Sequence, residues 1–231
     1  MEKDNQKVLL LDKGYIEFLG KFGDDLTIVN AARVSFGNEH KIWKKQDEKL
    51  LKYLWVNKHM SPFRHPIIRM KIHAPEVVMR QLYKHVVGIE STSGSATKDS
   101  AWNEISGRYV NVQEYYRPII FRAQSKDNKQ ASKGKVENQH DANVLYNKAL
   151  DTCIETYQEL LELGVAREQA RMILPLAQYT TVIWTASLQA VLNFIELRDH
   201  KHSQYEIQKY AKEMKKYVID NFPALSKVLE L

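Results

Sequence analysis

One cysteine, Cys153, is all the thiol chemistry that the 231 residues hold. That excludes an intrachain disulfide framework and a zinc site built from several cysteines. Cys153 falls inside a long helical pattern with no activating motif around it, the setting of a buried structural thiol. Long apolar runs are missing too, since none approaches the roughly 18 residues that span a bilayer. The opening MEKDNQK is too polar for a secretory signal peptide, so a cytoplasmic location is expected and a membrane is not. Internal repeats are absent.

What remains is a globular composition. Hydrophobic residues make up 44% and charged residues 27%, and the length suffices for one large domain or two small ones with a sizeable core. The net charge is +6 and the sequence pI about 9.1, an excess that suits anionic partners. The lysines are spread along the chain, however, and concentrate only in residues 126–135 and 209–216. No aromatic and basic platform accompanies them. Solvated surface and small anionic substrates are therefore expected, and nucleic acid is not.

Donors crowd into residues 80–109, RQLYKHVVGIESTSGSATKDSAWNEISGRY. The first part reads as the end of a helix that opens at Pro75, whose missing N–H costs nothing in a first turn, and stops at Gly88. At about 100° per residue Val78, Leu82 and Val86 share one face, Arg80 and Lys84 the opposite one, and Gln81 and His85 the border. An ordinary amphipathic surface helix has the same periodicity. The second part, Trp102 to Tyr109, reads as a loop. There Asn103, Glu104, Ser106, Gly107 and Arg108 offer backbone N–H groups, a hydroxyl and a guanidinium of the kind that hold a phosphate.

These residues resemble a known signature. Gln81, the Lys84-His85 pair and the run Asn103-Glu104-x-Ser106-Gly107-Arg108-Tyr109 are similar to that of the flavin-dependent thymidylate synthases, which reads Arg-His-Arg, two residues, Ser, one, Asn, two, Ser, one, Arg. Lys84 stands where the family has its first Arg, Val86 where it has its second and Ala101 where it has the first Ser. A polar insertion at residues 88–100 separates the halves. Lysine supplies a point charge but not the planar fork of arginine.

Along the chain, Lys7 to Leu11 and Tyr15 to Leu19 read as a hairpin about Asp12-Lys13-Gly14. Asp25 is a candidate cap for a helix ending near Arg33-Val34-Ser35-Phe36. That segment resembles the family's Ala-Ala-Arg-Val-Ser-Phe, whose Ser lies against the flavin; a capping role for Ser35 is the alternative. Residues Trp43 to Asn57 are helical in spacing. Ser61-Pro-Phe-Arg-His65 precedes an alternating, β-branched stretch to His73 that reads as a strand, and in the family the His of this pattern faces the flavin.

Val110 to Arg122 again reads as a strand, residues 125–139 as an aperiodic linker, and Asp141 to Leu163 as a long helix stopped by Gly164. Arg167 and Arg171, four apart, share a helical face before Pro175; solvent exposure is the ordinary explanation, and the resemblance implies that Arg171 reaches the nucleotide of a neighbouring subunit. Thr185 is a candidate cap for a helix to Leu197 carrying Gln189 and Asn193 on one side. Ser203-Gln-Tyr-Glu206 reads as a capping box that opens a last helix to about Asn221.

Strands before helices point to an α+β fold, a mixed sheet flanked by long helices in a single domain over residues 1–231. The resemblance implies synthesis of dTMP from dUMP, with methylenetetrahydrofolate as carbon donor, FAD as hydride carrier, NADPH as reductant and a homotetramer whose sites lie between chains. It assigns dUMP to Gln81, Glu104, Ser106, Gly107, Arg108, Arg171 and Arg198. FAD goes to Ser35, His65, Lys84, His85, Val86, Glu104, Ser187, Gln189 and Asn193, although the family has Asn at Ser187 and Arg at Gln189.

Arg198 is the expected catalyst, stabilising charge on the uracil ring. Ser106 is a candidate nucleophile, but no His is placed by sequence to activate it, and it is expected to bind. No thiol is obvious for the commoner route through addition to C6 of the pyrimidine. A basic nucleic-acid-binding module and a flavoenzyme for another pyrimidine nucleotide are the competing readings.

Overall fold

The computed structural model describes residues 7–85, 101–126 and 131–231. The hairpin forms where its turn residues place it, with β1 (Lys7–Leu10) and β2 (Gly14–Phe22) antiparallel and Leu10 opposite Gly14. Close approach demands that glycine, because a Cβ there would run into the Tyr210 hydroxyl. Two helices follow, α1 (Asp25–Arg33) and α2 (Lys45–Val56). The cap of α1 is Asp24 and not Asp25: its carboxylate accepts from the Thr27 N–H at 2.9 Å. Asp25 is buried and accepts instead from the N–H groups of Ala224 and Leu225, at 3.1 and 2.9 Å. A distant contact thus decides between two neighbouring aspartates.

A 3-10 turn at Ser61–Arg64 leads into β3 (Ile67–Pro75), and α3 (Glu76–Leu82) leaves it at once with Pro75 as N-cap. Val78 and Leu82 are buried as their spacing predicts. The helix is shorter than expected, with Tyr83 as its C-cap; Val86 and Gly88 lie outside the described residues. Ala101–Glu104, expected in a loop, forms β4. Val110 to Arg122 is not the expected strand: Pro118 removes a donor, and the segment is a strap bonded mainly through Tyr116 N–H to Ala177 O and Tyr179 N–H to Glu114 O. A small hairpin, β5 (Arg122–Gln124) and β6 (Ser132–Lys135), occupies part of the expected linker.

The long helix α4 (Gln139–Glu162) runs where expected, and α5 (Arg167–Ala170) continues into a 3-10 turn at Arg171–Ile173. Next comes β7 (Tyr179–Ser187), which lies between β3 and β4 where a helix cap at Thr185 is expected from the sequence. Its run YTTVIWTAS is β-branched and aromatic, a signal that was available. Thr185 belongs to this strand. The cap of α6 (Leu188–Arg198) is Ser187, whose Oγ accepts from the Ala190 N–H at 3.2 Å. The expected capping box is likewise absent from α7 (Tyr205–Asn221): Ser203 donates to Leu197 O, and Glu206 is taken by Gln204 and Tyr116. The chain ends in α8 (Pro223–Leu229).

The main sheet runs β1-β2-β3-β7-β4, and every pairing in it is antiparallel. The α+β class is as expected, but the sheet is antiparallel and not mixed. Phe22 stands opposite Ile67 and Pro75 opposite Tyr179, so each long connection re-enters the sheet at the end it left. Met70 and Ile72 of β3 and Val182 and Trp184 of β7 meet Phe194 of α6 and Met214 of α7 in one core, with Trp184 fully buried and stacked on Trp102 at 5.1 Å. Among the described residues no helix is long and apolar enough to cross a membrane.

Candidate active site

Predicted site residues gather in two clefts, one lined by Glu76 at the start of α3 and the other by Gln81 near its end. The first, of about 440 Å³, is lined by Glu76, Glu104, Ser106, Gly107, Arg108 and Arg171 among others. The edge strand β4 delivers Glu104 opposite Val182 and Ile105 N–H to Thr181 O at 2.9 Å. The chain then turns tightly, with the Tyr109 and Val110 N–H groups both donating to Ser106 O at 3.0 Å and Arg108 N–H to Ser106 Oγ at 3.3 Å.

Arg171 arrives from the far side of the sequence, and its Nη1 lies 3.5 Å from where a Gly107 Cβ would stand. Two guanidinium groups and a hydroxyl around one turn are the donor set for a phosphate. The carboxylates at the other end serve a different purpose: Thr180 donates to Glu104 at 2.6 Å. Burial first, and then the charge of Glu104, push Glu76 above the usual carboxylate range. They suit the hydroxyl and N–H groups of a nucleoside. Glu76 and Thr180 went unread in the sequence, where an acidic residue after Pro75 passes for ordinary first-turn chemistry.

The second cleft, of about 450 Å³, is lined by Gln81, Arg198, His200, His202 and Gln204 among others. Arg198 closes α6, and its guanidinium is bonded twice, Nε to His85 Nε2 at 2.8 Å and Nη1 to Gln81 Oε1 at 3.4 Å. The imidazole is buried edge-on against Phe194 at 5.0 Å. Burial, reinforced by the Arg198 charge, brings its pKa down to about 4. His85 is thus a neutral acceptor for a cation.

This has a measurable sign. Between pH of about 6.5, where an unfolded histidine titrates, and about 4, the unfolded chain binds a proton that the folded chain refuses, so stability falls as pH falls. Between pH 7 and pH 5 the wild type is expected to lose about 2 kcal/mol more than His85→Gln. Urea midpoints of both proteins at equal concentration check it, and parallel pH curves would refute it.

The other predicted residues are elsewhere. Ser35 is exposed in a 3-10 turn at Val34–Phe36, and His65 is exposed just before β3. Gln189 is buried, accepting from Arg64 Nε at 2.8 Å, and Ser187 is buried as the α6 cap; Asn193 is half-buried one turn on. Lys84 is exposed beside the buried His85. So the structure unites Glu104, Ser106, Gly107, Arg108 and Arg171, and separately Gln81, His85 and Arg198, while within one chain the two clefts share no lining residue. Cys153 lines neither.

Comparison with known proteins identifies relatives of the whole chain. A family described as "Thymidylate synthase complementing protein" matches residues 18–224. The flavin-dependent thymidylate synthase of Thermus thermophilus is 38% identical over 215 residues, covering 93% of this chain and 74% of the relative. That of Thermosipho melanesiensis is 35% identical over 218 residues, covering 93% and 89%. Among solved structures, a UMP/dUMP methylase, PolB from Streptomyces cacaoi, bound with 5-Br dUMP, superposes with a TM-score of 0.81 at 26% identity over 96% of this chain and 97% of that one.

Proposed function

Because the chain belongs to the flavin-dependent thymidylate synthase family, we propose that it methylates dUMP to dTMP, taking carbon from methylenetetrahydrofolate and reducing equivalents from NADPH. The observation that carries the reading is the meeting of Arg108 and Arg171 at the Ser106-Gly107 turn. Burying a phosphate dianion demands several such donors. Ser106 serves there as a binder.

FAD is the family's cofactor, and the donors present fit it. Exposed Arg64, His65 and Lys84 offer two cations and an imidazole and half-buried Asn193 an amide, while buried Gln189 holds Arg64 through its Oε1; these are donor types suited to the phosphates and ring edge of a dinucleotide. When bound, the flavin supplies the two-electron chemistry that turns a methylene bridge into a methyl group. The chain's own task at the pyrimidine belongs to Arg198. C5 of uracil is a poor nucleophile, and a fixed guanidinium at the ring carbonyl stabilises the enolate-like negative charge that the ring must carry for C5 to attack. The guanidinium stays protonated and acts through charge alone.

We place the complete site between chains of an oligomer, a homotetramer by family likeness, with the phosphate cleft of one chain facing the Arg198 cleft of another. Of the 24 residues of α4 only Leu150 and Tyr157 are buried in the single chain, too little to hold so long a helix by packing alone. Phe36, Ile119, Leu145, Met172 and Leu197 are all more than half exposed, as surfaces awaiting a partner are. A cytoplasmic location suits the substrates.

Purified protein should be yellow or turn yellow with FAD, bleach with NADPH, and form dTMP from dUMP and methylenetetrahydrofolate. A colourless protein that takes up no FAD overturns the reading. The structural likeness to a methylase named for both UMP and dUMP favours one second reading, a broader nucleotide range, which equal turnover of UMP and dUMP would establish.

A further inference from the structure

We propose that Arg198 is aimed by a fixed chain of hydrogen bonds, Arg198 to Gln81 to Gln204 to Glu206 to Tyr116, and braced on its other side by His85. The inference rests on Arg198 being the group that acts on the uracil ring. Gln81 Oε1 accepts from Arg198 Nη1 at 3.4 Å, so its Nε2 faces Gln204 Oε1, at 2.5 Å. Gln204 Nε2 then donates to Glu206 Oε2 at 2.8 Å, and Glu206 Oε1 accepts the Tyr116 hydroxyl at 3.2 Å.

Direction along this chain is not free. An ionised carboxylate only accepts and a guanidinium only donates, and with these at its two ends each amide between has one orientation that works. Flipping Gln81 would set its NH₂ against the guanidinium and its carbonyl against the carbonyl of Gln204. The bond from Nε to His85 at 2.8 Å fixes the remaining rotation, because a neutral imidazole offers an acceptor where a charged one could only repel. Among the described residues the bonds of the guanidinium run from Nε and Nη1, which leaves the Nη2 side for a substrate carbonyl. Gln81 and Glu206 are thus positioning residues, and Gln81, which also lines the cleft, meets Arg198 and Gln204 through the two ends of its amide.

Transition-state charge is sensitive to such aim, since a displacement of about 1 Å costs on the order of 100-fold in rate. His85→Leu and Gln204→Leu are expected to lower kcat by about 10- to 100-fold with KM for dUMP moved less than about 3-fold. His85→Gln, which keeps an acceptor at the same reach, should recover to within about 3-fold of wild type.

A second measurement needs no turnover. With arginine-selective nitrogen labelling, the Arg198 Nε–H of the full-length protein without dUMP should give a resolved, exchange-protected NMR signal, lost in His85→Leu and kept in His85→Gln. Absence of that protected signal in the wild type overturns the proposal, whether or not the leucine variants fold. Wild-type turnover in both leucine variants with the signal unchanged overturns it too. Loss of the signal with turnover intact supports the aimed guanidinium and refutes instead the catalytic role given to Arg198.

Discussion

Arg198→Ala is expected to lower kcat for dTMP formation by about 100- to 1,000-fold, the range seen when one preorganised donor to a developing anion is removed. The argument is one of timing. The uracil carbonyl is neutral in the bound substrate and gains charge only as the ring is activated to the enolate-like form in which C5 is nucleophilic, so a fixed cation contributes far more to that activated state than to the ground state. KM for dUMP should therefore move much less than kcat. Arg198→Lys should recover little, because His85 and Gln81 are held by two different nitrogens of a planar fork, a geometry that the single nitrogen of an ammonium does not reproduce.

The fold should survive either change. Arg198 is half-buried at the last turn of α6, whose packing comes from Val191, Phe194 and Ile195. Matching circular dichroism and matching reduction of the bound flavin by NADPH, with dTMP formation lost, is the expected pattern. An alanine variant that makes dTMP within about 3-fold of wild type would remove Arg198 from the mechanism.

What could be read ahead of the structure was whatever local spacing encodes. The hairpin at Asp12-Lys13-Gly14, the buried pair Val78 and Leu82, and the long helix to Leu163 follow from turn chemistry and periodicity, and they form. Caps failed where two candidates compete, because choosing Asp24 over Asp25, or Ser187 over Thr185, depends on a neighbour or strand register that sequence spacing does not contain. The loop Glu104 to Arg108 and Arg171 were each legible as anion donors. The family likeness puts both on dUMP but has Arg171 reach across from a neighbouring chain, whereas the structure brings the two together within one chain, and no local rule joins residues so far apart. Glu76 and the bond from Arg198 to His85 were illegible for the same reason: both are made by tertiary contacts.

The same separation sets up the second large effect, which appears on mixing two damaged proteins. Arg108→Ala should raise KM for dUMP by about 10- to 100-fold, as loss of a charge-assisted bond of roughly 1.5–3 kcal/mol implies. Its kcat should hold, because the phosphate keeps the same charge throughout the reaction. At low dUMP, Arg108→Ala and Arg198→Ala are then both nearly inactive. If the Ser106-Gly107 cleft of one chain faces the Arg198 cleft of another, a hybrid pair places both lesions in one site and leaves its second site intact. Random pairing makes half of all pairs hybrid, so refolding equal amounts together should restore about a quarter of wild-type activity. A site built within one chain predicts no recovery, since every chain then carries a damaged site whatever its neighbour. Activity of the co-refolded mixture equal to the mean of the two variants would therefore place Arg108 and Arg198 on the same substrate within a single chain.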